Sequence, residues 1–306
     1  MYRKNFSTDY KWSFFCRNIL SKKIFILKGG NAMKSHMKKM RVLLLSCILV
    51  LSMMQSVTTQ AKGVQIDLRS SAQSFIKSQN IGAKPMFKSG GRTHTHQYIV
   101  TQALAILRHD KGYSLLNQSS NASTLKTYTD WPDKVGNESD SATYAGHFYN
   151  PYTEKSWTGS KSKTALVRAM GYFNDALAAV QEGNMADALV LIGKGTHYVS
   201  DMNEPHHASN LTAVNSNHSA FEKYVDENRT SFYIPGNTLD ESYYLEAEQV
   251  PMSQILRNGA YYAYDLKYMA QDESTYYEAG KLSVQHAIIN VVQYLYEFGE
   301  EAGIYS

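Results

Sequence analysis

Beyond residue 61 this 306-residue sequence has no cysteine, since its only two, Cys16 and Cys47, stand earlier. A domain without thiols has neither a disulfide frame nor thiolate metal ligands, so packing and any nitrogen- or oxygen-bound metal must stabilise it. Strand-like alternation of apolar and polar residues is also lacking, which argues against a β-sheet architecture. No internal repeat or interdomain linker interrupts the chain. The longest apolar run, from Val42 to Met54, counts about thirteen residues, too few to span a bilayer. Nor is there a basic stripe. Residues 1–61 hold 11 of the 31 Lys and Arg residues and one of the 27 Asp and Glu residues, which leaves 20 basic against 26 acidic and a net charge of −6 over 62–306. Nucleic acid is therefore not an expected partner.

What the first third does contain is an export pattern. Lys34, Lys38, Lys39 and Arg41 precede the apolar run, and small residues at Thr59 and Ala61 follow it. Residues 33–61 thus read as a signal peptide cut near Ala61, and a secreted, extracellular protein is expected. Residues 1–32 fit no targeting pattern. "KGG" at 28–30, just before "NAM", is what a purine-rich ribosome-binding site would encode, so 1–32 read as a mis-called upstream extension with Met33 as the true start. Residues 62–92 form a lead-in or pro-segment, and a single domain is expected over 93–306.

The mature part reads as all-α, a multi-helix domain with a metal cluster in a cleft between helices. Ile99, Ala103, Ile106 and Leu107 recur at helical spacing after Thr95. Residues 115–160, rich in Ser, Asn, Asp, Gly and aromatics, are expected to form a long loop with at most short helices. Further helical patterns cover 161–183, 184–202, 218–229, 251–271 and 275–302, with no strand-rich tail before Ser306.

The chemistry gathers in "HYVSDMNEPHHASN", residues 197–210. His197 and Asp201 stand four apart, hence on one helix face, and Pro205 ends that helix before His207. "HSAFE" repeats the spacing with His218 and Glu222. Imidazole nitrogen and carboxylate oxygen are the usual zinc ligands where thiolate is absent. Two such pairs plus His207 within 26 residues point to a metal site. His96 opens the first helix, His147 sits in "YAGHFYNP", and Asp130 and Asp133 lie in "TYTDWPDK". His94, His109, His206 and His286 read as ordinary helix-end or surface histidines.

These residues resemble the zinc-dependent bacterial phospholipases C, which include the alpha-toxin-type enzymes. The family signature H-Y-x-[GT]-D-x-[DNSH]-x-P-x-H-[PA]-x-N is met at every position but Ser200, where Gly or Thr is usual. "THQYIVTQALAIL", "HFYNP" and "NLTAVNSNHSAFE" are similar to the family's first helix, loop ligand and second ligand segment. The resemblance implies up to three zinc ions. His147, His197, Asp201 and one loop aspartate would hold the first. Asp201 would bridge to a second, bound also by His96 and the mature amino terminus, and His207, His218 and Glu222 would hold the third. The loop aspartate is Asp130 or Asp133; "TYTDW" favours Asp130, which would also orient the attacking water. Where family members begin with Trp, this chain has Met86 and Phe87, so the amino-terminal ligand stands apart from the family pattern.

The implied activity is hydrolysis of phosphatidylcholine-like phospholipid to diacylglycerol and phosphocholine. Clustered divalent ions suit it, because they lower the pKa of bound water and offset charge on a pentacoordinate phosphorus. Tyr144 and Trp131 are candidate walls around a choline ammonium through cation–π contact. A monomer that touches lipid aggregates only peripherally is expected, since the sequence shows no counterpart of the family's calcium-dependent β-sandwich. Two alternatives stay open: a three-zinc single-strand nuclease or nucleotidase of the same fold, and a non-catalytic metal-binding relative.

Overall fold

A computed structural model describes residues 94–305. The expectations for Met33, for the leader, for 62–92 and for the mature amino terminus lie outside the described residues. Among the described residues there are nine α-helices, several single 3₁₀ turns and no strand, only an isolated bridge between Asn150 and Lys155.

Helix α1 (Thr95–Asp110) begins at His94, whose extended backbone N–H donates to Gln97 Oε1 at 3.1 Å. Its expected stripe of Ile99, Ala103, Ile106 and Leu107 is fully buried, as a 3.6-residue period predicts for a core-facing helix. Helix α2 (Ser119–Thr129) lies inside the stretch expected to be loop. Helix α3 (Ala165–Gln181) starts at Thr164, whose hydroxyl accepts the Val167 N–H at 3.3 Å. After Gly183, at φ +76°, the chain reverses into α4 (Met185–Met202), capped by Asn184 accepting from the Asp187 N–H.

Helix α4 is the axis of the domain. It packs against α3, α2, α1 and the long final helix α9 (Tyr276–Glu301). From Gly195 to Met202 every residue is buried. Such close packing on all sides needs small residues where two backbones meet. A Cβ on Gly193 would stand 3.3 Å from the Leu125 backbone of α2, and one on Gly195 would stand 2.0 Å from the Tyr294 hydroxyl of α9. That hydroxyl donates to the Ala169 carbonyl of α3 at 2.7 Å, so α9 and α3 are tied together across the face of α4 that leads to His197.

Helix α5 (Pro205–Ser209) follows at once, with Pro205 at its first position, where a missing N–H costs nothing. Helices α6 (His218–Asn228), α7 (Glu241–Gln249) and α8 (Met252–Asp265) complete the fold. Helix α7 was not expected, and α2 is a short helix within the stretch expected to be mostly loop. Both are largely polar, burying only Tyr244 and Ala247 in α7 and Leu125 and Thr129 in α2. Two inward residues are too few to set a period, and tertiary packing supplies what propensity does not.

Candidate metal centre

Five segments deliver the site. The first turn of α1 brings His96, the last turns of α4 bring His197 and Asp201, and α5 with α6 bring His207, His218 and Glu222. The loop 130–148 adds Asp133 and His147. All eight are shut away from solvent, with side chains no more than 3 % exposed.

Asp201 is the hub. Its Oδ2 lies 3.0 Å from His147 Nδ1 and 3.2 Å from His197 Nε2, while Oδ1 lies 3.2 Å from His207 Nδ1 and 3.7 Å from His96 Nε2. Asp133 sits 3.4 Å from His197, 3.5 Å from His147 and 3.8 Å from His96. On the other side, His218 Nε2 stands 2.9 Å and His207 Nε2 3.5 Å from Glu222 Oε1. Three groupings result, each with ligand atoms mutually within 4.8 Å: His96, Asp133 and His197; His147, His197 and Asp201; and Glu204, His207, His218 and Glu222.

Do these residues fit a metal? Tetrahedral zinc with bonds near 2.1 Å sets its ligand atoms about 3.4 Å apart. The separations above fall around that value, longer on average than hydrogen bonds. Both oxygens of Asp133 and of Glu222, together with His147 Nε2, both ring nitrogens of His207 and His218 Nε2, are buried and make no hydrogen bond. A buried lone pair without a partner costs free energy, and it is what a shared cation would answer. The histidine tautomer is set as well. His197 Nδ1 lies 2.8 Å from the Thr129 carbonyl, which can only accept, so Nδ1 carries the proton and Nε2 faces the carboxylates. The donor set suits a divalent cation.

The electrostatics agree. Burial, then neighbouring His197, pushes His96 down to about 3, which leaves it a neutral imidazole. Burial would lower His197 too, but Asp201 and then Asp133 hold it well above the usual imidazole range. Burial opposes ionisation of Asp201, and His197 with His207 outweighs it, holding that carboxyl well below the usual range. The negative charge that raises His197 is the charge a cation would meet.

Asp130 is where the geometry departs from the sequence reading. Its backbone N–H is the C-cap of α2, its carboxylate pairs with Lys134 at 3.6 Å, and none of the three groupings includes it. Helix α2 stops at Thr129, and the turn through Trp131 and Pro132 carries Asp133 inward instead. Among the candidate headgroup walls, Tyr144 is 4 % exposed with its ring 5.6 Å from that of His147. Trp131 already carries the Lys194 ammonium 3.8 Å from its ring centre.

Several residues went unassigned in the sequence. Glu204, quoted within the motif but given no role, is fully buried; burial opposes its ionisation, yet His206 brings its carboxyl down to about 2. His206, taken as an ordinary surface residue, is buried with its ring stacked 5.0 Å from that of His218. His94 pairs with Asp226 at 3.0 Å, and His286 reaches Asn203 Oδ1 at 2.8 Å. Arg168 of α3 was also overlooked. It grips Glu138, Asp140 and the Tyr198 hydroxyl at 2.9, 2.6 and 2.7 Å, and Asp140 in turn accepts the Gly146 N–H at 2.8 Å. That clamp fixes the loop on which His147 stands. A polar residue in a loop, or one arginine on a helix, gives no sequence signal of such convergence.

Known proteins are similar to this chain. The family model described as zinc dependent phospholipase C matches residues 95–279. A phospholipase C of Paraclostridium bifermentans is 29% identical over 237 residues, 68% of this chain and 59% of that protein. One from Clostridium haemolyticum is 32% identical over 164 residues, 46% of this chain and 39% of its own length. The chain therefore spans less than two thirds of the length of these curated relatives. Among solved structures, an alpha toxin from Clostridium absonum superposes with a TM-score of 0.60 at 25% identity, covering 70% of this chain and 65% of that one.

Proposed function

The chain belongs to the zinc dependent phospholipase C family, and from that premise we propose that it is a secreted zinc metallophosphodiesterase that hydrolyses phosphatidylcholine-like lipids to diacylglycerol and phosphocholine. The observation that carries this reading is the convergence of buried imidazoles on the Asp201 carboxylate, in a cluster where several buried ring nitrogens and carboxylate oxygens make no hydrogen bond. Up to three ions are proposed. His147, His197, Asp133 and Asp201 would serve one, His96 with Asp201 a second, and His207, His218 and Glu222 a third. When bound, zinc supplies Lewis acidity toward the phosphoryl oxygens and a water acidic enough to attack near neutral pH.

The protein groups do the rest. Asp201 divides its two oxygens between His147 and His197 on one side and His207 and His96 on the other, so it would join the cation positions on its two sides. Asp133, rather than Asp130, is the loop carboxylate assigned to accept the proton of the attacking water. As the new O–P bond forms, the bond from phosphorus to the glycerol oxygen breaks, and the proton ends on that oxygen. Tyr144 remains the better choice for contact with the choline ammonium, because Lys194 already holds a face of Trp131. Export rests on the leader pattern at 33–61.

Parallel assays test the reading. Zinc-replete protein is expected to release phosphocholine and diacylglycerol from short-chain phosphatidylcholine and to leave single-stranded DNA intact. Nucleotide release without phosphocholine would move the chain to the nuclease reading, and silence on both substrates to a non-catalytic one.

A further inference from the structure

Glu204 is a fully buried carboxylate whose ion-pair partners, among the described residues, are histidines alone. Its surroundings hold it rigidly. Oε1 lies 2.8 Å from His206 Nδ1, and Oε2 accepts the His207 backbone N–H at 2.6 Å as the cap of α5. His206 is fixed in turn, with Nε2 3.1 Å from Asn217 Oδ1, while the Asn217 amide donates to the Ala270 carbonyl and the Tyr276 hydroxyl. The second lone pair of Oε2 is left over. It faces His218 Nε2 at 3.8 Å, too far for a hydrogen bond, and that nitrogen is buried with no hydrogen-bond partner.

We infer that Glu204 is a fourth protein ligand of the cation position built from His207, His218 and Glu222, oriented for that task by His206. This rests on the reading that the chain binds zinc. Two imidazoles and two carboxylates complete a tetrahedron, so this position is closed by protein, as structural zinc sites are. Bound there, one ion would staple α5 to α6. The other two groupings draw on five residues, His96, Asp133, His147, His197 and Asp201, and have His197 in common. Capping alone does not account for Glu204, because a cap needs only one acceptor oxygen, and Ser, Thr, Asn or Asp serve that purpose more often. Nor does a cap need a buried histidine holding its second oxygen.

Glu204→Gln separates the two roles, since glutamine keeps an acceptor for the His207 N–H but loses the charge and one ligating oxygen. Glu204→Asp separates them the other way, as aspartate is a preferred cap whose carboxylate reaches one bond less far. Full-length wild type and variants would be dialysed against buffered free zinc, and bound zinc counted by elemental analysis beside circular dichroism. Each variant that folds is expected to hold one equivalent less than wild type at a free zinc level that saturates the latter. His206→Phe, which keeps the ring but removes the donor, should weaken that equivalent on the order of 10–100-fold. Wild-type zinc content and affinity in a folded Glu204 variant would overturn the inference and leave Glu204 a cap. A wild type that binds no zinc would overturn the metal reading itself.

Discussion

Asp201→Asn is expected to remove phosphodiesterase activity almost entirely and to lower zinc content, while leaving the helical fold recognisable. The asparagine is nearly isosteric, so packing around the end of α4 is preserved. What changes is the sign of one edge. Asp201 meets His147 and His197 with one oxygen and His207 and His96 with the other. An amide must turn an N–H donor toward one of those pairs, where it can no longer meet a cation and would instead compete for the Nε2 lone pair that His197 presents to a bound metal, its Nδ1 proton being held by the Thr129 carbonyl. Loss of an outer-sphere partner typically costs 10–100-fold in affinity or activity, so loss of the shared inner carboxylate should cost on the order of 10³-fold or more in kcat/KM. Kinetics on short-chain phosphatidylcholine with zinc content measured on the same sample checks it. Asp130→Asn is the matched control, and an equal loss there would return the catalytic role to Asp130.

The second large effect lies outside the cluster. Four consecutive or near-consecutive residues without a glycine among them, Asp140, Ser141, Ala142 and Tyr144, hold left-handed backbone at φ of 46°, 57°, 67° and 49°. Such conformations persist only where the surroundings over-determine them, each costing on the order of 1–3 kcal/mol. The Arg168 guanidinium does this by holding Glu138 and Asp140 at the start of the bend, while Asp140 accepts the Gly146 N–H beyond it and Tyr172 and Tyr198 donate to Glu138. Arg168→Met keeps the aliphatic stem but leaves two half-buried carboxylates facing each other. It should destabilise the fold by about 2–4 kcal/mol, below the full cost of breaking a wholly buried pair because the group is partly hydrated. Activity should fall with it, since His147 loses its fixed platform. Urea denaturation read beside kcat tests both, and an unchanged midpoint would show that the loop holds its shape unaided.

How much of this was readable beforehand depended on whether a residue advertised itself by period or by chemistry. Helix α1 was legible because Ile99, Ala103, Ile106 and Leu107 repeat on one face and all turn inward. The pairs His197 with Asp201 and His218 with Glu222 were legible because a four-residue step on a helix fixes a common direction. Helices α2 and α7 were not, since each buries only two residues and neither shows a stripe. The choice between Asp130 and Asp133 turned on where α2 ends. Beyond a helix end, spacing no longer fixes side-chain direction, and the turn at Trp131 and Pro132 sends the later aspartate to the histidines. Glu204 and His206 were hidden for a related reason: a residue before a helix-starting proline reads as a cap, and only the fold brings α6 across it.

The central claim is that these buried imidazoles and carboxylates bind zinc and that bound zinc makes the chain a phospholipase C. Stepwise return of zinc to chelator-stripped protein tests it most directly, with bound metal, melting temperature and phosphocholine release from short-chain phosphatidylcholine followed on the same samples. Stripped protein should be inactive and melt at lower temperature, because free energy of metal binding is free energy of folding. Stability and activity should then return as the sites fill. Phosphocholine release by protein verified to be free of metal, or inactivity on phosphatidylcholine after all sites are filled, would contradict it.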